Sequence, residues 1–219
     1  MNHKIASTTN TVFSVESDLQ NRSYLGILFS GIGYTYRNPL LYYSRKILKE
    51  LGTDYIGIDY KYYEDSTFSS LTDDDREKRW ENDNKAVLKS ILDIEDQYKG
   101  LILIGKSMGT SVIRRCLKEP KIKEKAICIL ITPGNEWNEF CVELEQIENN
   151  ILGIASKEDR YYIEGNNSIL RKNKNIDIFE IEKGNHSLEI NNFETDIDCL
   201  KNIMMKENEF IKGNVPEFG

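Results

Sequence analysis

Six short apolar runs set the limits on how this chain can fold. YLGILF (Tyr24 to Phe29), DYIGID (Asp54 to Asp59), LILI (Leu101 to Ile104), AICILI (Ala126 to Ile131), ILGIA (Ile151 to Ala155) and IDIFEI (Ile176 to Ile181) each have the length of a strand. Most lack the polar alternation of a sheet with one wet face, so they predict strands buried on both sides. Helical stretches lie between them. Asn38-Pro39 opens one, with Asn as N-cap and Pro at the first helical position, and it stops at Gly52. A charged helix spans about Asp74 to Tyr98, with a stripe of Val87, Leu88, Ile91, Leu92 and Ile94. Met108 to Leu117, Trp137 to Ile147 and Phe193 to Lys206 read as further helices. Thr11 to Val15 reads as a short leading strand, KYYEDSTFSSLTDDD as a polar loop, and Lys212 to Gly219 as a frayed tail. Strands alternating with helices predict an α/β fold, with a mostly parallel twisted central sheet and helices on both faces. With no repeat and no linker, one domain over residues 1–219 is expected.

Composition narrows the partners. A net charge of -7, spread evenly, argues against nucleic acid or an anionic membrane as a partner. No apolar run approaches the roughly 20 residues of a membrane helix. The N-terminus, MNHKIASTTNTVFSVES, has no signal-peptide core, so a cytoplasmic location is expected. Cys116, Cys128, Cys141 and Cys199 are scattered without C-x-x-C spacing, and the only histidines are His3 and His186. Neither a metal nor a disulfide framework is expected from them.

GLILIGKSMGT, residues 100–110, satisfies two catalytic patterns at once. Gly100, Gly105, Lys106 and Ser107 fit a phosphate-binding P-loop. Gly105, Ser107 and Gly109 fit the G-x-S-x-G nucleophile elbow. A P-loop needs its strand before the first glycine, because the loop itself wraps phosphate with backbone N–H groups. Here Gly100 follows a charged helix, and Leu-Ile-Leu-Ile fills the pattern's interior as a strand. The elbow needs strand, sharp turn and helix in that order, and the sequence supplies them.

A serine hydroxyl is a poor nucleophile until an oriented base takes its proton. His186, in EKGNHSLEI after the last apolar run, is the only histidine beyond Ser107. The third group should follow the preceding strand, where ILGIASKEDRYY offers Glu158 and Asp159. The oxyanion requires two N–H donors. Met108, at the helix start, supplies one, and the loop Ser30-Gly31-Ile32-Gly33-Tyr34 the other, through Ile32 or Gly33. Gly31-Ile32-Gly33 also suggests a dinucleotide fingerprint. The next helix begins only near Pro39, so a pyrophosphate would lack its helix N-terminus.

On FSGIGY, IGKSMGT, KEDRYY and KGNHSL, in that order, the chain resembles the α/β-hydrolase superfamily over roughly residues 24–206. GKSMGT is similar to small dienelactone-hydrolase-like members with short caps. The resemblance implies a Ser107-Asp159-His186 triad, with Asp159 preferred over Glu158, and backbone donors at Ile32 and Met108. Many members carry His-Gly where this chain has Ser30-Gly31. Only about 18 residues, Thr132 to Asn149, separate two strands where larger members insert a lid, which leaves room for one short helix with Trp137.

Gly33, Tyr34, Trp137 and Tyr161 are candidate pocket residues, among several tyrosines in or beside the ringing loops (Tyr36, Tyr42, Tyr43, Tyr62, Tyr63, Tyr162). The alternative is that most tyrosines pack the sheet edges. Asp73 to Arg79 reads as the solvated start of a helix. The implied activity is a serine esterase on a small-molecule acyl substrate, ester or thioester, with no cofactor, working as a monomer or homodimer. A non-catalytic binding protein on the same fold, or an acyltransferase using the same three residues, are the alternatives.

Overall fold

All six apolar runs become strands. The structure is a computed structural model, and it describes residues 14–134 and 137–218. Strands β2 (Tyr24–Phe29), β3 (Asp54–Asp59), β4 (Gly100–Lys106), β5 (Ala126–Ile131), β6 (Ile151–Ser156) and β7 (Ile176–Ile181) pair in parallel. A leading strand, β1 (Ser14–Asp18), joins antiparallel to β3, giving the order β1-β3-β2-β4-β5-β6-β7. The expected strand from Thr11 to Val15 thus lies further along the chain, and its residues 11–13 fall outside the described residues.

Side chains alternate across the sheet into two cores. Leu101 and Leu103 of β4 face one core, Ile102 and Ile104 the other, and β5 divides in the same way. Helices α1 (Pro39–Glu50) and α8 (Phe193–Asn214) cover one face through Leu40, Leu41, Leu48, Ile203 and Ile211. Helices α3 (Asp73–Leu92), α4 (Met108–Cys116) and α6 (Trp137–Leu144) cover the other. Each wholly buried Leu or Ile is worth about 1.5–3 kcal/mol, so the central strands dominate stability.

Four local departures have physical reasons. The polar loop contains a one-turn helix, α2 (Ser66–Ser70), because the Asp65 carboxylate caps the N–H groups of Thr67 and Phe68. Helix α3 stops at Leu92 and a 3₁₀ turn follows at Glu95–Gln97, where the buried Glu95 pairs with Lys125 and Lys121. A short helix, α5 (Pro120–Lys123), starts at the proline that ends α4's segment. A helix with weak formers, EGNNSIL, appears as α7 (Glu164–Leu170), held by Leu170 in the core and by Asn167 on Glu180.

The tail is not frayed. Helix α8 continues to Asn214, Val215 is buried, and the Phe218 ring lies 5.2 Å from that of Tyr24. No helix among the described residues is long and apolar enough to cross a membrane.

Candidate active site

Leu101 to Gly105 are paired to β2 on one side and β5 on the other, so this stretch has no free backbone to wrap a phosphate. The chain turns sharply at Ser107, whose φ of 54° and ψ of -116° are strained for a residue with a side chain. Close packing of α4 on β2 makes the turn possible. A Cβ at Gly109 would stand 2.2 Å from the Phe29 carbonyl oxygen. A Cβ at Gly31 would meet the Ser107 Cβ at 3.2 Å, so the loop after β2 lies directly against the turn. Helix α1 begins at Pro39, well past Gly33, which leaves the dinucleotide pattern without a helix N-terminus.

Three strand ends bring the polar groups together. His186 Nε2 lies 2.7 Å from Ser107 Oγ, and His186 Nδ1 lies 2.8 Å from Asp159 Oδ2. Asp159 is nearly buried, and its other oxygen accepts the Tyr161 N–H at 3.1 Å. Burial alone would raise the Asp159 carboxyl, but the His186 and Tyr161 hydrogen bonds, with Lys106 nearby, hold it below the usual carboxylate value. Glu158 is exposed, and its N–H donates to Ser156 Oγ. Of the two candidate acids, therefore, Asp159 is the one in contact with His186. The Asn185 side chain accepts the Ser187 and Glu189 N–H groups, which braces the turn that presents the imidazole. The ring of Tyr161 stands edge-on to it, 5.0 Å away.

Met108 is the first residue of α4, so its N–H has no acceptor within the helix and points with the positive end of the helix dipole. Ile32 sits between Gly31, whose N–H donates to Tyr34 O, and Gly33, in the left-handed region at φ 72°. Ser107, Met108, Ile32 and Gly134 share one cleft of about 970 Å³.

The turn after β3 and helices α2 and α3 supply an aromatic wall. Tyr62, Tyr63, Phe68 and Trp80 line it; Phe68 and Tyr62 stack at 4.1 Å, and Trp80 meets Tyr62 edge-on. The charge run also reaches the cleft, through Arg76 and Glu77, rather than being only a solvated helix start. Arg76 donates to the Phe68 and Ser69 carbonyls, and Arg79 pairs with Asp65 at 2.5 Å.

Of the expected pocket residues, Tyr161 lines this cleft. Trp137 lines a smaller adjoining hollow of about 280 Å³, sharing Gly134 and Tyr161 with the cleft. Gly33 and Tyr34 are elsewhere: the Tyr34 hydroxyl accepts the Leu40 N–H, and its ring covers Lys106. Among the other tyrosines, Tyr36 packs on Gly57, whereas Tyr62 and Tyr63 face the cleft. Phe68, Trp80 and Lys106 escaped sequence reasoning. The first two lay in segments read as a polar loop and a solvated helix, and the third is a charged residue in a motif's variable position. Among the described residues, no group of three or more His, Cys, Asp or Glu is arranged to hold a metal ion.

No protein-family model matches the chain, and neither does any curated protein. Solved structures do. Est1E from Butyrivibrio proteoclasticus, with ferulic acid bound, superposes at a TM-score of 0.68 with 13% identity, over 93% of this chain and 96% of that one. Mouse α/β-hydrolase domain-containing protein 10 gives 0.63 at 14% identity, over 92% and 94%. An α-β serine hydrolase homologue from Coxiella burnetii gives 0.61 at 16% identity, over 89% and 90%. With superposition over nearly the full length of each chain, this chain has the α/β-hydrolase fold.

Proposed function

We propose that the protein is a serine hydrolase that cleaves a small-molecule ester or thioester through an acyl-enzyme on Ser107. The observation that carries the reading is the unbroken hydrogen-bonded chain from Ser107 Oγ through His186 to Asp159, set on a strained turn beside an open cleft.

His186 Nε2 takes the Ser107 proton as Oγ attacks the carbonyl carbon, and the C=O electron pair moves onto oxygen. Asp159 accepts from Nδ1–H, fixes the tautomer that leaves Nε2 basic, and stabilises the imidazolium. Its depressed pKa keeps it ionised for that role. The Met108 and Ile32 N–H groups hold the oxyanion. Collapse breaks the acyl–oxygen or acyl–sulfur bond, and the imidazolium protonates the departing alcohol or thiol. Water, deprotonated by His186, then attacks the acyl-enzyme in the same way and releases the acid. The sequence needs no metal or cofactor.

A cleft of about 970 Å³ falls within the range of small-molecule sites, roughly 300–1,000 Å³. Its lining of Tyr62, Phe68, Trp80 and Tyr161 favours an acyl or alcohol part with apolar, planar bulk. Ferulic acid on Est1E is an acid of that kind, which supports the substrate class.

Intact-mass labelling with a fluorophosphonate tests the reading. One adduct on the wild type, and none on Ser107→Ala or His186→Ala, is the expected result. An unlabelled but folded wild type would overturn it and favour a binding protein that keeps the fold. Ester turnover that yields transfer to an added alcohol in preference to water would identify an acyltransferase.

A further inference from the structure

Lys106 occupies the variable position of G-x-S-x-G, beside the nucleophile, and its side chain is wholly buried. A buried lysine is ordinarily paired with a carboxylate. This one makes no ion pair among the described residues. Its ammonium instead donates to the main-chain carbonyl of His186 at 2.8 Å and lies 5.1 Å from the centre of the Tyr34 ring. The same carbonyl accepts a second bond, from the Thr132 hydroxyl at 3.2 Å. Thr132 closes β5 with its backbone in the left-handed region, at φ 41°, and its N–H donates to Ile154 O. Two neighbouring strand ends thus grip one peptide of the loop that carries the imidazole.

We infer that Lys106, with Thr132, is a positioning residue for the reaction: it anchors the His186 main chain so that Nε2 stays in hydrogen-bonding distance of Ser107 Oγ. The inference rests on the serine-hydrolase reading. An anchor built only for stability would use an apolar side chain here, because a buried amine without a carboxylate partner weakens the fold. A main-chain carbonyl needs a donor, and a long donor from β4 reaches this one without widening the turn at Ser107.

The charge adds a pH signature. Burial pushes the Lys106 ammonium down to about 7, with Asp159 working against it. The groups that face Lys106 are Asp159 after β6, His186 after β7, and the Tyr34 ring after β2, with Glu189 acting on the Tyr34 hydroxyl. Below about pH 7 the lysine is a cation, and its hydrogen bond to the His186 carbonyl is of the stronger, charge-assisted kind. Lys106→Met removes that charge, so any dependence of the rate on Lys106 ionisation near pH 7 is lost.

The test is the second-order rate of fluorophosphonate labelling from pH 5.5 to 9, with thermal midpoints recorded alongside, on wild type, Lys106→Met, Thr132→Val, Thr132→Ser and Ser107→Ala. Lys106→Met should keep or raise the midpoint yet label about 10- to 100-fold more slowly, the loss that accompanies misplacement of a reacting group by around 1 Å. The part of the rate profile set by Lys106 ionisation near pH 7 should be lost. Thr132→Val should slow labelling in the same direction, and Thr132→Ser should restore it. Lys106→Met labelling at the wild-type rate with an unchanged profile overturns the inference and leaves the Ser107 reading intact. If Lys106→Met does not fold, wild-type labelling of Thr132→Val overturns it. An unlabelled wild type removes the hydrolase reading and the inference together.

Discussion

Replacing Gly109 with alanine should cost activity out of proportion to its one added methyl. The new Cβ would lie 2.2 Å from the Phe29 carbonyl oxygen, 2.8 Å from its carbonyl carbon and 2.9 Å from its Cβ. Phe29 is a paired strand residue in the centre of the sheet, bonded to neighbours on both sides, so it cannot retreat. Helix α4 must move instead, by about 1 Å to restore ordinary contact. That helix carries Met108 at its first position, and Ser107 caps it. A displacement of this size moves the proposed nucleophile and oxyanion donor together, and should slow fluorophosphonate labelling by about 10²-fold. Overpacking of a filled core also lowers stability by about 1–3 kcal/mol. The comparison is Gly165→Ala in α7, where an added Cβ meets nothing within 4 Å. That substitution should stabilise by about 0.5–1 kcal/mol and leave labelling unchanged. Labelling rates and urea unfolding on the three proteins decide it. Gly109→Ala with wild-type labelling and wild-type stability would refute the packing argument.

Asp159→Asn should lower the labelling rate by about 10³–10⁴-fold while Glu158→Gln stays at wild type, because only Asp159 contacts His186; equal losses would reverse the assignment. Phe68→Ala, on a helix with no buried residue, should weaken kcat/KM for aryl-acyl esters by about 3- to 10-fold and spare acetyl esters of the same leaving group. Glu207 is wholly buried in α8, and burial pushes its carboxyl up to about 8, against the hydrogen bond from Ser44. A folded pKa above the unfolded one favours the native state fully only below about pH 4, and that advantage is lost as pH rises through 8. Glu207→Gln should therefore match wild type in urea at pH 4 and exceed it by about 2–4 kcal/mol at pH 9; an equal difference at both pH values would show that ionisation is not involved.

The sheet was legible because its strands are buried on both faces, and AICILI or LILI can hardly be anything else. The elbow was legible because its two glycines follow from a close approach that any sequence must respect. His186 stood out by scarcity. What escaped was set by tertiary contact. Helix α7 has poor local propensity and is held by Glu180 and the core. Helix α2 exists through one aspartate cap in a run of polar residues. The tail reads as polar up to the point where Val215 and Phe218 find partners far away in sequence. Lys106 is hardest of all, since nothing in a sequence says that a lysine will be sealed inside against a carbonyl 80 residues distant.

The wall formed by Tyr62, Tyr63, Phe68 and Trp80 is drawn from one uninterrupted piece of chain, about residues 60–80, whereas Ser107, Asp159 and His186 follow the ends of β4, β6 and β7. Tyr161 is the exception, an aromatic lining residue that also touches His186 and Asp159. Helix α2 has no fully buried residue; Phe68 is half-buried on Tyr62, and Arg76 and Arg79 tie the helix to α3 by charge-assisted bonds across its surface. Its attachment therefore rests on those surface bonds and on the Phe68–Tyr62 stack, and salt weakens the former but not the latter. If the proposed hydrolase reading holds, exchange of this segment would change which molecules fit the cleft while leaving the ends of β4, β6 and β7 in place.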